Sequence, residues 1–202
     1  MKKSFYFLIL MIGLSACNPT KNMTVKEQEI VNASDVNTPF RVLQTDNIDD
    51  SLFLRKKSIN IDIKNIAENT HWQLFIQRLK LTMAVEFGVG IAAPQVGIGR
   101  NLFLFSRIDK PDRPVAVAIN PKIVAHSQET ICFEGDGCLS VPNISGTSRR
   151  YAWIDVEYYN EKGEFVKERL SGSSRKGDFT GIIFQHEFDH LQGVLFTDKL
   201  CD

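Results

Sequence analysis

The chain has 202 residues, of which 43% are hydrophobic and 24% charged. That is enough apolar material for the core of one catalytic-sized domain without disulfide support. Lys plus Arg equals Asp plus Glu, at 24 each, and no basic block stands out, which argues against a nucleic-acid surface.

In chain order, Lys2 and Lys3 precede the apolar run Phe5-Tyr6-Phe7-Leu8-Ile9-Leu10-Met11-Ile12. The run is too short for a permanent bilayer span, which needs about 20 apolar residues. A charged start followed by a short apolar stretch predicts a secretory signal peptide over residues 1–16. Leu14-Ser15-Ala16-Cys17 resembles the bacterial lipobox, in which the Cys becomes the lipidated first residue. The resemblance implies lipidation at Cys17 and an exported, membrane-anchored lipoprotein, periplasmic or surface-facing. Acyl chains would tether it through burial of CH₂ groups, at about 0.8 kcal/mol each. Residues 17–38 are polar and read as a tether, which leaves 39–202 as the folded domain.

Residues 70–87 form the first clear helix: Trp72, Phe75, Ile76, Leu79 and Met83 make one apolar stripe. Asn69 or Thr70 can cap its start, and Gly88 can end it in the left-handed conformation. An irregular loop follows, Gly88-Val89-Gly90-Ile91-Ala92-Ala93-Pro94-Gln95-Val96-Gly97. Strands are predicted at 101–106, at 115–124 with a break near Pro121, and at 152–160. Glu161-Lys162-Gly163-Glu164 reads as a hairpin turn into a strand at 165–170. Residues 171–178, rich in Ser and Gly, read as a mobile loop. Asp178 is then an N-cap for a second helix over 179–192, ended by Gly193. Strands grouped before a late helix predict an α+β fold with a mostly antiparallel sheet.

That late helix carries His186-Glu187-Phe188-Asp189-His190. Residues four apart lie about 40° apart around a helix axis and one turn apart along it. Both imidazoles can therefore face one metal ion, with Glu187 beside them as acid/base: the HExxH arrangement of metallohydrolases. A catalytic metal needs a third protein ligand. Downstream of His190 only Cys201, Asp198 and Asp202 could serve, all poorly placed, so an upstream ligand is expected. Of the remaining cysteines, Cys132 and Cys201 are read as two small, partly buried thiols, although in an oxidising compartment they could pair.

Three segments decide the reading. Gly88-Val89-Gly90-Ile91-Ala92-Ala93-Pro94-Gln95 resembles the GxGxAAxQ motif of peptide deformylases. Gly137-Cys138-Leu139-Ser140 is similar to the core of their EGCLS motif, and Gln185-His186-Glu187-Phe188-Asp189-His190-Leu191 to their QHExDHL. All three occur in the family's order, over residues from about 40 to about 200. The resemblance implies an α+β, deformylase-like domain with antiparallel sheets packed around the late HExxH helix. It implies one metal on Cys138, His186 and His190, a water in the fourth position, and Glu187 as acid/base. The ion would be Fe2+, with Zn2+ or Ni2+ also suited to a thiolate and two imidazoles. Gln95 and the Leu139 backbone N–H would meet the oxygen of the attacked carbonyl. Gly90 would let a peptide approach its backbone, while Val89, Phe179, Ile182 and Ile183 would line a pocket for a methionine side chain. The expected substrate is a formyl-methionyl peptide, or a related small amide, releasing formate.

Three positions depart from the family pattern. Asp136 stands where the family has Glu, and Ser145 where it has a substrate-binding Arg, for which Arg149 or Arg150 could compensate. Residues 171–178 also differ from the family's approach to its last helix. The alternatives are an HExxH metallopeptidase and a degenerate, metal-containing peptide-binding lipoprotein.

Overall fold

The computed structural model describes residues 22–201. Its elements are α1 (Val25–Asn32), α2 (Ile48–Leu54), α3 (Thr70–Val85), β1 (Gly90–Ala92), β2 (Leu102–Ser106), β3 (Val115–His126), β4 (Thr130–Cys138), β5 (Val141–Tyr151), β6 (Trp153–Tyr159), β7 (Phe165–Ser171) and α4 (Thr180–Leu191). The fold is α+β. A five-stranded sheet runs β1-β2-β3-β6-β7, and β4 and β5 form a separate two-stranded sheet. Every pairing in both is antiparallel.

The side-chain alternation of β2 explains the layering. Leu102 and Leu104 join the cluster built on α3, with Trp72, Phe75, Ile76 and Leu79. Phe103 and Phe105 join the cluster built on α4, with Ile182, Ile183 and Phe184. Neighbouring residues of a strand point to opposite faces, so the large sheet is sandwiched between α3 and α4. Phe184 sits edge-on to Phe103 and Phe105, with ring centres 4.8 and 5.3 Å away. Burying one such ring contributes about 2–3 kcal/mol. The predicted stripe of α3 is buried throughout.

The predicted strands fall close to their observed positions, and the break near Pro121 is real: register shifts between Ile119 and Lys122, and Asn120 takes φ 51°. The turn after β6 is closed by the Asn160 side chain, which accepts from Lys162 N and Glu164 N, both at 3.0 Å. At the end of α3 the left-handed residue is Phe87 (φ 55°), not Gly88. Gly88 is needed for packing instead, since a Cβ there would lie 3.2 Å from both Gly90 O and Leu139 Cδ1.

Two expectations need correction. The segment expected to be a polar tether is folded from residue 25. Thr24 and Glu27 make a capping box for α1, and Val31 is fully buried. Glu27 also pairs with the buried Arg100, and Arg78 donates to Val31 O at 2.7 Å. The segment is held by the ion pair of Glu27 with the buried Arg100 and by Val31 in the core cluster of α3. Cys132 and Cys201, expected as separate thiols, form a disulfide with Cα atoms 6.1 Å apart. The C-terminal tail is brought there by bonds invisible in sequence: Ser148 bridges Leu200, and Cys201 N donates to Thr147 O at 2.8 Å.

Candidate metal centre and active-site cleft

Two elements meet at the centre. Helix α4 lies on the aromatic face of the large sheet and carries His186, Glu187 and His190. The β4–β5 hairpin turns at Leu139 and Ser140, with Cys138 opposite Val141, and presents Cys138 from that tip. The ligand atoms of Cys138, His186 and His190 all lie within 4.8 Å of one another, and Cys138 Sγ is 3.2 Å from His190 Nε2. His186 Nδ1 faces Asp136 Oδ1 at 3.0 Å, which leaves Nε2 for the centre. One sulfur and two imidazole nitrogens make a three-ligand set suited to a catalytic divalent metal. The buried Glu187 Oε2 has no hydrogen-bond partner among the described residues, a carboxylate oxygen left for something beyond the chain.

Electrostatics beneath the site are tightly organised. Asp136 Oδ2 accepts from Ser148 Oγ at 2.5 Å and from Arg150 Nη2 at 2.9 Å. Arg150 also bonds Asp189 Oδ2 at 2.5 Å, and Lys199 reaches Asp189 Oδ1 at 2.6 Å. Burial alone would raise the Asp136 carboxyl, but His186 and Arg150 hold it well below the usual carboxylate range. Burial opposes a proton on His186, yet the Asp136 hydrogen bond raises its affinity above the ordinary value. His190 moves the other way, lowered by burial and by its neighbour His186. Burial pushes Glu187 up to about 7, the range in which a carboxyl can both accept and give a proton near neutral pH.

The centre opens into a cleft of about 320 Å³. Gly90, Val89, Phe179, Ile182 and Ile183 all line it, as do Gln95, Leu139 and Glu187. Gln95 sits in the 3₁₀ turn Ala93–Val96, where its Oε1 accepts from Ala92 N at 2.8 Å. That bond fixes the amide the other way round, with Nε2 3.6 Å from Cys138 Sγ and 3.2 Å from Ser140 Oγ. Gly90 has a role unseen in the sequence: a Cβ there would lie 2.8 Å from Glu187 Cγ and Cδ, so the missing side chain makes room for the carboxylate. Asp178 Oδ1 accepts from Thr180 N at 2.9 Å, although the residue bounding α4 is Phe179.

Sequence reasoning missed three participants. Arg150 is not a substrate arginine; it is buried in the ion network under His186. Neither Arg149 nor Ser145 lines the cleft, whereas Arg175, from the loop before α4, does. Asp189 lies inside the HExxH motif and gave no separate signal of its bond to Arg150.

A polypeptide deformylase family model matches residues 43–202. The chain belongs to the polypeptide deformylase family. Family members are metal-dependent hydrolases that remove N-formyl groups from peptides. A peptide deformylase 2 of Nostoc sp. is 45% identical over 145 residues, covering 68% of this chain and 76% of the relative. The crystal structure of a Thermotoga maritima peptide deformylase superposes with a TM-score of 0.69 at 34% identity, covering 82% of this chain and 99% of that one. A Met-Ala-Ser-bound class I type b deformylase from Acinetobacter baumannii also gives 0.69, at 29% identity, covering 81% and 99%.

These relatives correct the expected location. The matched proteins are ordinary peptide deformylases, which overturns the reading of an exported, membrane-anchored lipoprotein. No described helix is long and apolar enough to cross a membrane. The expected signal peptide and Cys17 lie outside the described residues. The wider expectation of a small-amide substrate finds no support among deformylase relatives.

Proposed function

We propose that this deformylase hydrolyses the formyl amide of formyl-methionyl peptides, with Cys138, His186 and His190 holding one divalent ion, Fe2+ by family resemblance. The observation that carries the reading is the convergence of those three ligand atoms within 4.8 Å beside the buried Glu187. A bound divalent ion would supply Lewis-acid polarisation of the formyl carbonyl and lower the pKa of water toward ~7. Glu187 accepts the proton of the attacking water and delivers it to the departing amine nitrogen. Gln95 Nε2 and the Leu139 backbone N–H donate to the carbonyl oxygen as it gains negative charge. Val89, Phe179, Ile182 and Ile183 take the methionine side chain, excluding water from the reacting end.

The test is formate release from formyl-Met-Ala-Ser by protein loaded anaerobically with ferrous iron, or with zinc, and metal analysis on the same sample. Formate release in proportion to bound metal is expected. Glu187→Gln should lower it by about 10²–10⁴-fold while peptide binding persists. No formate from metal-loaded protein would overturn the assignment.

A further inference from the structure

Among the described residues, Arg175 is the one Lys or Arg that lines the active-site cleft. Its guanidinium is held in place. Nε and Nη2 both donate to Gly135 O, at 2.9 and 2.5 Å. The charge lies 5.6 Å from the ring centre of Phe133 and 5.9 Å from that of Phe179, and both rings line the cleft. Arg175 also lines a second cavity of about 590 Å³, with Glu134, Ser173, Ser174 and Lys176. It thus borders both hollows.

The bonds to Gly135 satisfy a neutral carbonyl and leave the positive charge without a carboxylate partner among the described residues. Six other guanidiniums, those of Arg41, Arg55, Arg100, Arg107, Arg150 and Arg169, are paired with Asp or Glu, whereas Arg78 lies away from the cleft and donates to backbone carbonyls. An ordered, uncompensated guanidinium at a cleft rim is complementary to a carboxylate, whose two oxygens match its planar donors. We propose that Arg175 binds a carboxylate on the substrate, downstream of the formylated residue, and so selects short formyl peptides with an acidic residue or a free C-terminus there. The proposal rests on the deformylase reading and adds to it a specificity-determining residue.

The test compares three substrates: formyl-Met-Ala-Asp amide, formyl-Met-Ala-Ala with a free C-terminus, and the neutral formyl-Met-Ala-Ala amide. The parent enzyme should show a KM about fivefold lower for a carboxylate peptide than for the neutral one, with the gap shrinking in added salt. Arg175→Ala and Arg175→Gln should close the gap through KM, and Arg175→Lys should keep part of it. Arg175→Gln retains an amide donor for Gly135, which separates lost charge from a loosened loop. Whichever carboxylate peptide shows the Arg175-dependent gap identifies a side-chain or a terminal source. Equal KM for all three peptides in the parent, or variants that shift all three equally, would overturn the proposal. Calorimetry with Met-Ala-Asp amide supplies a second readout. Arg175-dependent binding without formate release would keep the subsite and bring down the deformylase reading. Formate release without charge preference would bring down the subsite alone.

Discussion

A Cβ on Gly90 would lie 2.8 Å from both Cγ and Cδ of Glu187. The Glu187 carboxylate, the acid/base proposed above, occupies the volume of a side chain that β1 does not have. Gly90→Ala should therefore displace Glu187 while leaving the strand intact, because Gly90 pairs with Phe105 through backbone alone. The expected result is a loss of formate release of about 10²–10³-fold with near-native circular dichroism. Activity within twofold of the parent would show that Glu187 has room to move aside.

Asp136 fixes the ring of His186 through Nδ1 and is itself held by Ser148 and Arg150. Carboxylates in this position raise ligand basicity and set the tautomer. Asp136→Asn should weaken metal affinity by about 10–100-fold, measured by chelator competition. An affinity equal to the parent's would mean that the imidazole is oriented by its helix alone.

The disulfide between Cys132 and Cys201 spans 69 residues of sequence. Closing a loop of that size stabilises by roughly 4 kcal/mol on chain-entropy grounds. Cys201→Ser, or reduction, should shift urea unfolding by an amount of that order. Identical unfolding curves with and without reductant would show that the bond contributes nothing.

Hydrogen bonds from Arg107 lower the Asp109 carboxyl from 3.8 to about 2. Asp109 also bonds Thr180, the first residue of α4. A lowered carboxylate stabilises fully above its unfolded pKa, and that contribution drains as pH falls toward the folded value. Stability should therefore decline between about pH 4 and pH 2, and Asp109→Asn should flatten that decline. Urea unfolding at both ends of the window checks it; parallel losses in parent and variant would contradict it.

The sequence alone determined the HExxH arrangement on the late helix. His186 and His190 share a helix face because their spacing matches the helical repeat, and Glu187 follows from the same arithmetic. The apolar stripe of α3 and the strands β2, β3, β6 and β7 are equally readable, because each depends on residues close in sequence, whereas β1 lies in the segment read as an irregular loop. The short helices α1 and α2 were missed although Thr24 with Glu27, and Asn47 with Asp49, were cap signals in plain view. Only the tertiary structure decided the rest. Cys138 was assigned to the metal by resemblance, but its approach to His190 depends on a hairpin folding back across 52 residues. The Arg150 network, the Cys132–Cys201 bond and the place of Arg175 at the rim depend on the same kind of contact. Such pairings are selected by burial and by the cost of an unpaired buried charge, and neither leaves a periodic trace along the chain.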